Sequence, residues 1–71
     1  MSNIIFLAEI GARIKRARSE KKMNQIELAI LCNFEKASMS RIESGKTNPT
    51  ILTLKKISEA LKIHLCDLLR D

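Results

Sequence analysis

Residues 24–45 read Asn24-Gln-Ile-Glu-Leu-Ala-Ile-Leu-Cys-Asn-Phe-Glu-Lys-Ala-Ser-Met-Ser-Arg-Ile-Glu-Ser-Gly45, and this stretch decides the fold. Asn24 is a strong helix N-cap, and Glu27 three residues on completes a capping box. Met23, just before the cap, can staple onto Leu28. Leu28, Ala29, Leu31 and Cys32 then supply apolar surface. Asn33 takes a tight corner, because asparagine tolerates left-handed backbone best after glycine. A second short helix follows over about 36–44, with Met39 and Ile42 inward beside Phe34 and Gly45 as its stop. Helices this short are marginal alone. They make sense braced against each other, as a helix-turn-helix.

Outward from this pair, a longer helix is expected over about 3–21. Leu7, Ile10, Ile14, Ala17 and Lys21 recur at three- and four-residue steps, so the apolar members share one face. Arg13, Lys15, Arg16 and Lys22 lie off that stripe, and Arg18 sits at its margin. Phe6 flanks the stripe. Ile5 points nearly opposite it, so one monomer core does not account for Ile5. On the C-terminal side, residues 46–49 form a polar loop ended by the only proline. Thr50 can cap a fourth helix over 51–61, with Leu54, Ile57 and Leu61 inward and Lys55, Lys56 and Lys62 outward. A last short helix over about 65–69 closes the chain. Five helices without a strand pattern or repeat predict a single all-α domain over residues 1–71.

Thirteen Lys and Arg against eight Asp and Glu give a net charge of +5 in 71 residues, with a pI near 9.6. A basic surplus on so small a body favours a polyanionic partner. A merely solvated charged surface would look the same by composition, and the motif decides between them. Phe6 and Phe34 are the only aromatic residues. That argues against single-strand binding by base stacking, which needs aromatic platforms. Cys32 and Cys66 form no Cys-x-x-Cys unit, and His64 is the only histidine, so no metal or redox site is expected. Two free thiols suit a reducing cytosol, and a cytoplasmic location is expected. No apolar run approaches a membrane span, and residues 1–8 lack the flanks of a signal peptide. No nucleophile with an adjacent base, carboxylate pair or phosphate-cradling glycine loop is evident. The reading is a non-enzyme with no cofactor, no small-molecule ligand and no membrane partner.

The chain resembles the lambdoid phage repressor and Cro type of helix-turn-helix domain, the xenobiotic-response-element-like regulators. The resemblance spans about residues 10–69. It rests on the Asn-Gln-x-Glu-Leu-Ala run at 24–29 and the Ser-Arg-Ile-Glu-x-Gly-Lys run at 40–46. Pro49-Thr50 leading into Leu54, Ile57, Ala60 and Leu61 completes it. The resemblance implies a five-helix, lambda-repressor-like fold that binds double-stranded DNA, with the helix over about 36–44 in the major groove. It places Lys36, Ala37, Ser40 and Arg41 where such proteins read bases. Gln25, Ser38, Lys46, Thr47 and Asn48 fall at backbone-contact positions. Arg18 and Glu43 match a structural salt bridge between the first and third helices. Leu65, Cys66 and Leu69, supplemented by Ile5 and Phe6, are candidates for a dimer interface. Lys22, Asn33 and Lys62 occupy corners where glycine is usual, and Glu35 and His64 stand at cap positions.

The expected function is therefore transcription regulation by a bacterial or phage-type homodimer on a palindromic operator. The alternative is an antitoxin-type module that binds a toxin protein as well as its own operator.

Overall fold

The computed structural model describes residues 3–70. Its elements are α1 (Asn3–Glu20), α2 (Gln25–Cys32), α3 (Lys36–Glu43), α4 (Ile51–Leu61) and α5 (Cys66–Leu69), with no strand among the described residues. The expected all-α, five-helix architecture is the observed one.

The local signals act as their chemistry requires. The Asn24 side chain accepts from the Glu27 backbone N–H at 2.8 Å, and the Asn24 N–H donates to Glu27 Oε1 at 2.9 Å. Thr50 Oγ1 accepts from the Thr53 N–H at 3.1 Å. Four helices end in one way. Past each end a residue turns left-handed, at Lys22 (φ 56°), Asn33 (59°), Gly45 (74°) and Lys62 (58°). The next N–H reaches back five residues: Met23 to Arg18 O, Phe34 to Ala29 O, Lys46 to Arg41 O and Ile63 to Ser58 O. That is a Schellman stop, which satisfies otherwise orphaned carbonyls.

Ile14, Leu28, Met39, Ile57, Leu61 and Leu68 are the largest fully buried side chains. They come from all five helices, so no helix is stable apart from the rest. Met23, Phe34, Ile63, Leu65 and Leu69 pack on this core from its edge. α1 is the brace. It lies against both α3 and α5, and Arg13 links it to α5 by donating to Leu68 O at 3.2 Å. Arg13, expected off the apolar stripe, is thus half-buried and structural.

Two expectations need correction. Leu31 was assigned to the apolar surface of α2, but it is 60% exposed. The buried face of α2 is Leu28, Ala29 and Cys32. Leu31 lies about 100° around the helix from Cys32, on the rim of an open hollow that it shares with Lys56, Glu59 and Ala60 of α4. The last helix begins at Cys66 rather than 65. Leu65 stands at the N-cap with no side-chain cap bond, and His64, expected at a cap, donates its backbone N–H to Asp67 Oδ2 at 3.2 Å.

Candidate nucleic-acid interface

α3 divides its residues between two faces. Met39, Ile42 and Glu43 are buried. Lys36, Ala37, Ser40 and Arg41 are exposed. At about 100° per residue these four span roughly 140° of the helix surface. All four side chains singled out in the sequence as base readers therefore share one outward face. Ser38 is half-buried beside them, and its Oγ accepts a long hydrogen bond from Arg41 Nη2 at 3.4 Å.

The angle of α3 is held from behind. Glu43, its last residue, is only 8% exposed. Its Oε2 accepts from Arg18 Nε at 2.8 Å, and its Oε1 from Arg18 Nη2 at 3.0 Å. Gln25 Nε2 adds a third bond to Oε1 at 3.1 Å. Arg18 Nη1 reaches the Met23 carbonyl at 2.9 Å. The start of α2, the end of α1 and the end of α3 are thus knotted around one carboxylate. The hydrogen bond to Glu43, helped by its charge, raises the Arg18 pKa against the opposing effect of burial. The expected Arg18–Glu43 pair is present and bidentate. Gln25, expected to face phosphate, is half-buried and tied into this knot by its amide. An amide nitrogen carries two N–H groups, so one remains beyond the bond to Glu43.

α1 and α3 meet unusually closely, and two glycines permit it. A Cβ on Gly11 would press on the backbone carbonyls of Glu43 and Ile42, the Ile42 oxygen lying 2.7 Å away. A Cβ on Gly45 would lie 2.7 Å from the Ala8 Cα. Sequence reading identified Gly45 as a helix stop but passed over Gly11. The only sequence signal at Gly11 is a glycine inside a strongly periodic helix, which points to close packing.

Lys46, Thr47 and Asn48 follow α3 in the loop to α4. A cleft of about 310 Å³ opens there, lined by Ser38, Arg41, Thr47, Asn48, Thr50 and Thr53 among others. The structure so brings together Arg41 and two of the three loop residues named from the sequence, and Lys46 stands exposed nearby in the chain. Thr50 is legible only as a cap, and Thr53 is not singled out by the sequence; their hydroxyls, 3.0 Å apart, add hydrogen-bonding groups to the cleft. Glu35 makes no side-chain cap at the α3 N-terminus, so the positive end of that helix is left to its backbone N–H groups.

The proposed interface residues separate on inspection. Ile5 (53%) and Phe6 (37%) are exposed, and so is Cys66. Leu65 and Leu69 are half-buried against the chain's own core. Burial raises the Cys32 thiol pKa, with Lys56 opposing. Among the described residues no cluster of His, Cys, Asp or Glu could hold a metal ion, and no helix is long and apolar enough to cross a membrane.

A helix-turn-helix family model matches residues 14–68. The immunity repressor of Bacillus phage phi105 is 36% identical over 56 residues, covering 79% of this chain and 39% of that protein. The chain thus spans well under half the length of the phage repressor. The crystal structure of the restriction-modification controller protein C.AhdI from Aeromonas hydrophila superposes with a TM-score of 0.85 at 27% identity. That match covers 87% of this chain and 94% of the controller. The biofilm master regulator SinR, solved in complex with DNA, matches at a TM-score of 0.80 and 40% identity. It covers 86% of this chain and 98% of that one.

Proposed function

We propose that this chain, which belongs to the Cro/C1-type helix-turn-helix family of DNA-binding transcription regulators, acts as a homodimer on a roughly palindromic operator. One observation carries the reading. The outward face of α3 bears Lys36, Ala37, Ser40 and Arg41, while its inward face is locked by Met39, Ile42 and Glu43. A rigid helix with a free polar face suits the major groove. Arg41 is the principal base reader, able to bridge guanine O6 and N7. Lys36 and Ser40 flank it, and Ala37 leaves room or meets a thymine methyl. Gln25, Ser38, Lys46, Thr47 and Asn48 hold the sugar-phosphate backbone, which positions the protein without reading sequence.

A monomer on one half-site makes few contacts, and two-fold pairing doubles them. The two α3 helices would then sit about 34 Å apart, one DNA turn. The body measures 31 × 23 × 20 Å, so neighbours at that spacing can touch directly.

Selection of bound duplexes from a random DNA pool tests the reading and returns half-site, symmetry and spacing together. On the selected site, Arg41→Ala should cost roughly 1–3 kcal/mol and relax preference at one base pair per half-site. Lys46→Ala should weaken all sequences evenly and lower the salt dependence by about one phosphate contact. An unchanged selected site for Arg41→Ala would remove it from the base-reading role.

A further inference from the structure

We infer that Glu35 is a further base reader beside α3, its free carboxylate accepting a hydrogen bond from the exocyclic amino group of one cytosine in each half-site. The inference rests on the DNA-binding reading above and names a base that one more residue selects.

The other described acids differ from Glu35 in partner or in place. Glu9 pairs with Arg13, Glu27 closes the capping box, Glu43 holds Arg18, and Asp67 pairs with Arg70. Glu20 and Glu59 stand on α1 and α4, beside hollows that contain no residue of α3. Glu35 is exposed at the entry to α3, and its side chain makes no cap, hydrogen bond or ion pair.

The backbone that carries it is fixed. The Glu35 carbonyl accepts from the Met39 N–H at 3.1 Å, the first bond of the helix. Phe34, just before it, and Ser38, one turn on, both line the cleft that holds Arg41. Exposed Lys36 follows directly. The carboxylate is thus attached at a set point on the leading end of the outward face, with only its own rotamers free.

Chemistry limits what such a group can do there. A helix-turn-helix brings the N-terminal residues of its recognition helix to the base edges. An ionised carboxylate only accepts hydrogen bonds. Phosphate oxygens, guanine N7 and O6, and thymine O4 are acceptors too. Docking against those would strip water from Glu35 and return nothing. The major groove offers two donors, cytosine N4–H2 and adenine N6–H2. Adenine sets its N7 acceptor beside the amino group, against the second carboxylate oxygen. Cytosine has no acceptor there, so it is the better partner. Lys36 supplies the complement. Its ammonium only donates, and guanine N7 and O6 stand beside cytosine N4 on the edge of the same base pair. An adjacent acceptor and donor therefore suit the mixed edge of a G·C pair. Arg41 lies six residues on, about 9 Å along the helix. The base met by Glu35 should then fall roughly two to three base pairs from the one met by Arg41, within the same half-site.

The test is selection from a random duplex pool with wild type, Glu35→Ala, Glu35→Gln and Arg41→Ala. Titrations then follow each protein on the selected duplex with each of the four base pairs at the position that Glu35→Ala alters. The Glu35 side chain has no partner to lose, and thermal melts check that its variants fold like wild type. Wild type should prefer C·G at that position over the other pairs by roughly 5- to 150-fold. Glu35→Ala should abolish that preference and keep those elsewhere in the half-site. Glu35→Gln should move it toward adenine, whose N6 and N7 suit a carboxamide. A Glu35→Ala protein that selects the wild-type site unchanged would overturn the inference, even if it bound every duplex more tightly by one common factor. Glu35 would then be no more than a charge repelled by phosphate. A preference lost at a position where wild type selects A·T or T·A would overturn it as well. The two readings fail separately. A wild type that selects no duplex ends the DNA reading, and the role of Glu35 with it. A selected site that Arg41→Ala relaxes and Glu35→Ala leaves intact keeps the DNA reading and removes Glu35 alone.

Discussion

Replacing Glu43 by alanine should unfold this domain more readily than any single surface change. The carboxylate accepts two bonds from Arg18, at 2.8 and 3.0 Å, and one from Gln25 at 3.1 Å. The side chains of Glu43 and Arg18 are only 4% and 12% exposed. Without Glu43 the guanidinium stays charged, because arginine does not deprotonate in proteins. It retains the Met23 carbonyl and little else. Breaking a buried pair by removing one partner costs about 3–5 kcal/mol. Arg18 keeps one good acceptor and a little solvent, so the lower end, about 3 kcal/mol, is the expected loss. For a domain of this size that is roughly 12–24 °C in Tm, against a total stability on the order of 5–15 kcal/mol. Urea unfolding followed by far-UV circular dichroism measures it. The Arg18→Ala, Glu43→Ala double variant should cost less than the sum of the singles, because no charge is left stranded. A Glu43→Ala loss below about 1 kcal/mol, the value of an exposed pair, would show that the knot is not a structural anchor.

Gly11→Ala should also destabilise, by about 1–3 kcal/mol: the helix-propensity gain is outweighed because the new Cβ meets fixed backbone of α3. A higher urea midpoint would mean that α1 and α3 can separate freely. Lys62→Gly and Lys22→Gly should each stabilise by a few tenths of a kcal/mol, relieving left-handed strain of about 1 kcal/mol less the added freedom of the unfolded chain; a lower thermal midpoint for both would contradict the observed corners. The exposed Cys66 should react with a thiol reagent at neutral pH within the native state, while buried Cys32 waits for unfolding. Since burial raises the Cys32 pKa, the native state holds that proton more tightly than the unfolded chain. Its contribution to stability is full below the ordinary thiol value and falls as pH rises through the raised one. Equal labelling rates for the two cysteines would show that the core opens on the labelling timescale.

What was legible in the sequence was local and periodic. The capping box at Asn24 and Glu27 involves neighbours three residues apart, and the Thr50 cap likewise. The α4 stripe of Leu54, Ile57 and Leu61 declares its own inward face. Leu31 was misplaced because α2 is apolar nearly all round. Ile26, Ile30 and Leu31 are as hydrophobic as the buried Leu28 and Ala29, so composition along one short helix cannot say which side the rest of the chain covers. Leu65, just before α5, and Leu69 at its end pose the same difficulty, because four residues make barely one turn. The resemblance puts Gln25 at a backbone-contact position and says nothing of a partner within the chain. Its bond to Glu43 spans eighteen residues, and only the assembled fold brings those groups together.

The four left-handed corners show how a single local motif divides under tertiary pressure. Lys22, Asn33, Gly45 and Lys62 adopt nearly the same backbone and the same backward hydrogen bonds. A preference for glycine at such corners comes from the backbone alone and should act equally at all four. Yet three carry side chains, and those three are exposed. At each of them the cost of a Cβ is about 1 kcal/mol, which the remaining helix contacts can absorb. Gly45 differs in what lies over it. The backbone of Leu7 and Ala8 passes so near that any Cβ would sit 2.7 Å from the Ala8 Cα. Here strain and collision add, and the only residue without a Cβ remains. The consequence is functional. Gly45 ends the helix that carries Arg41 and begins the loop that carries Lys46, so contact between α1 and this corner sets where both cations stand.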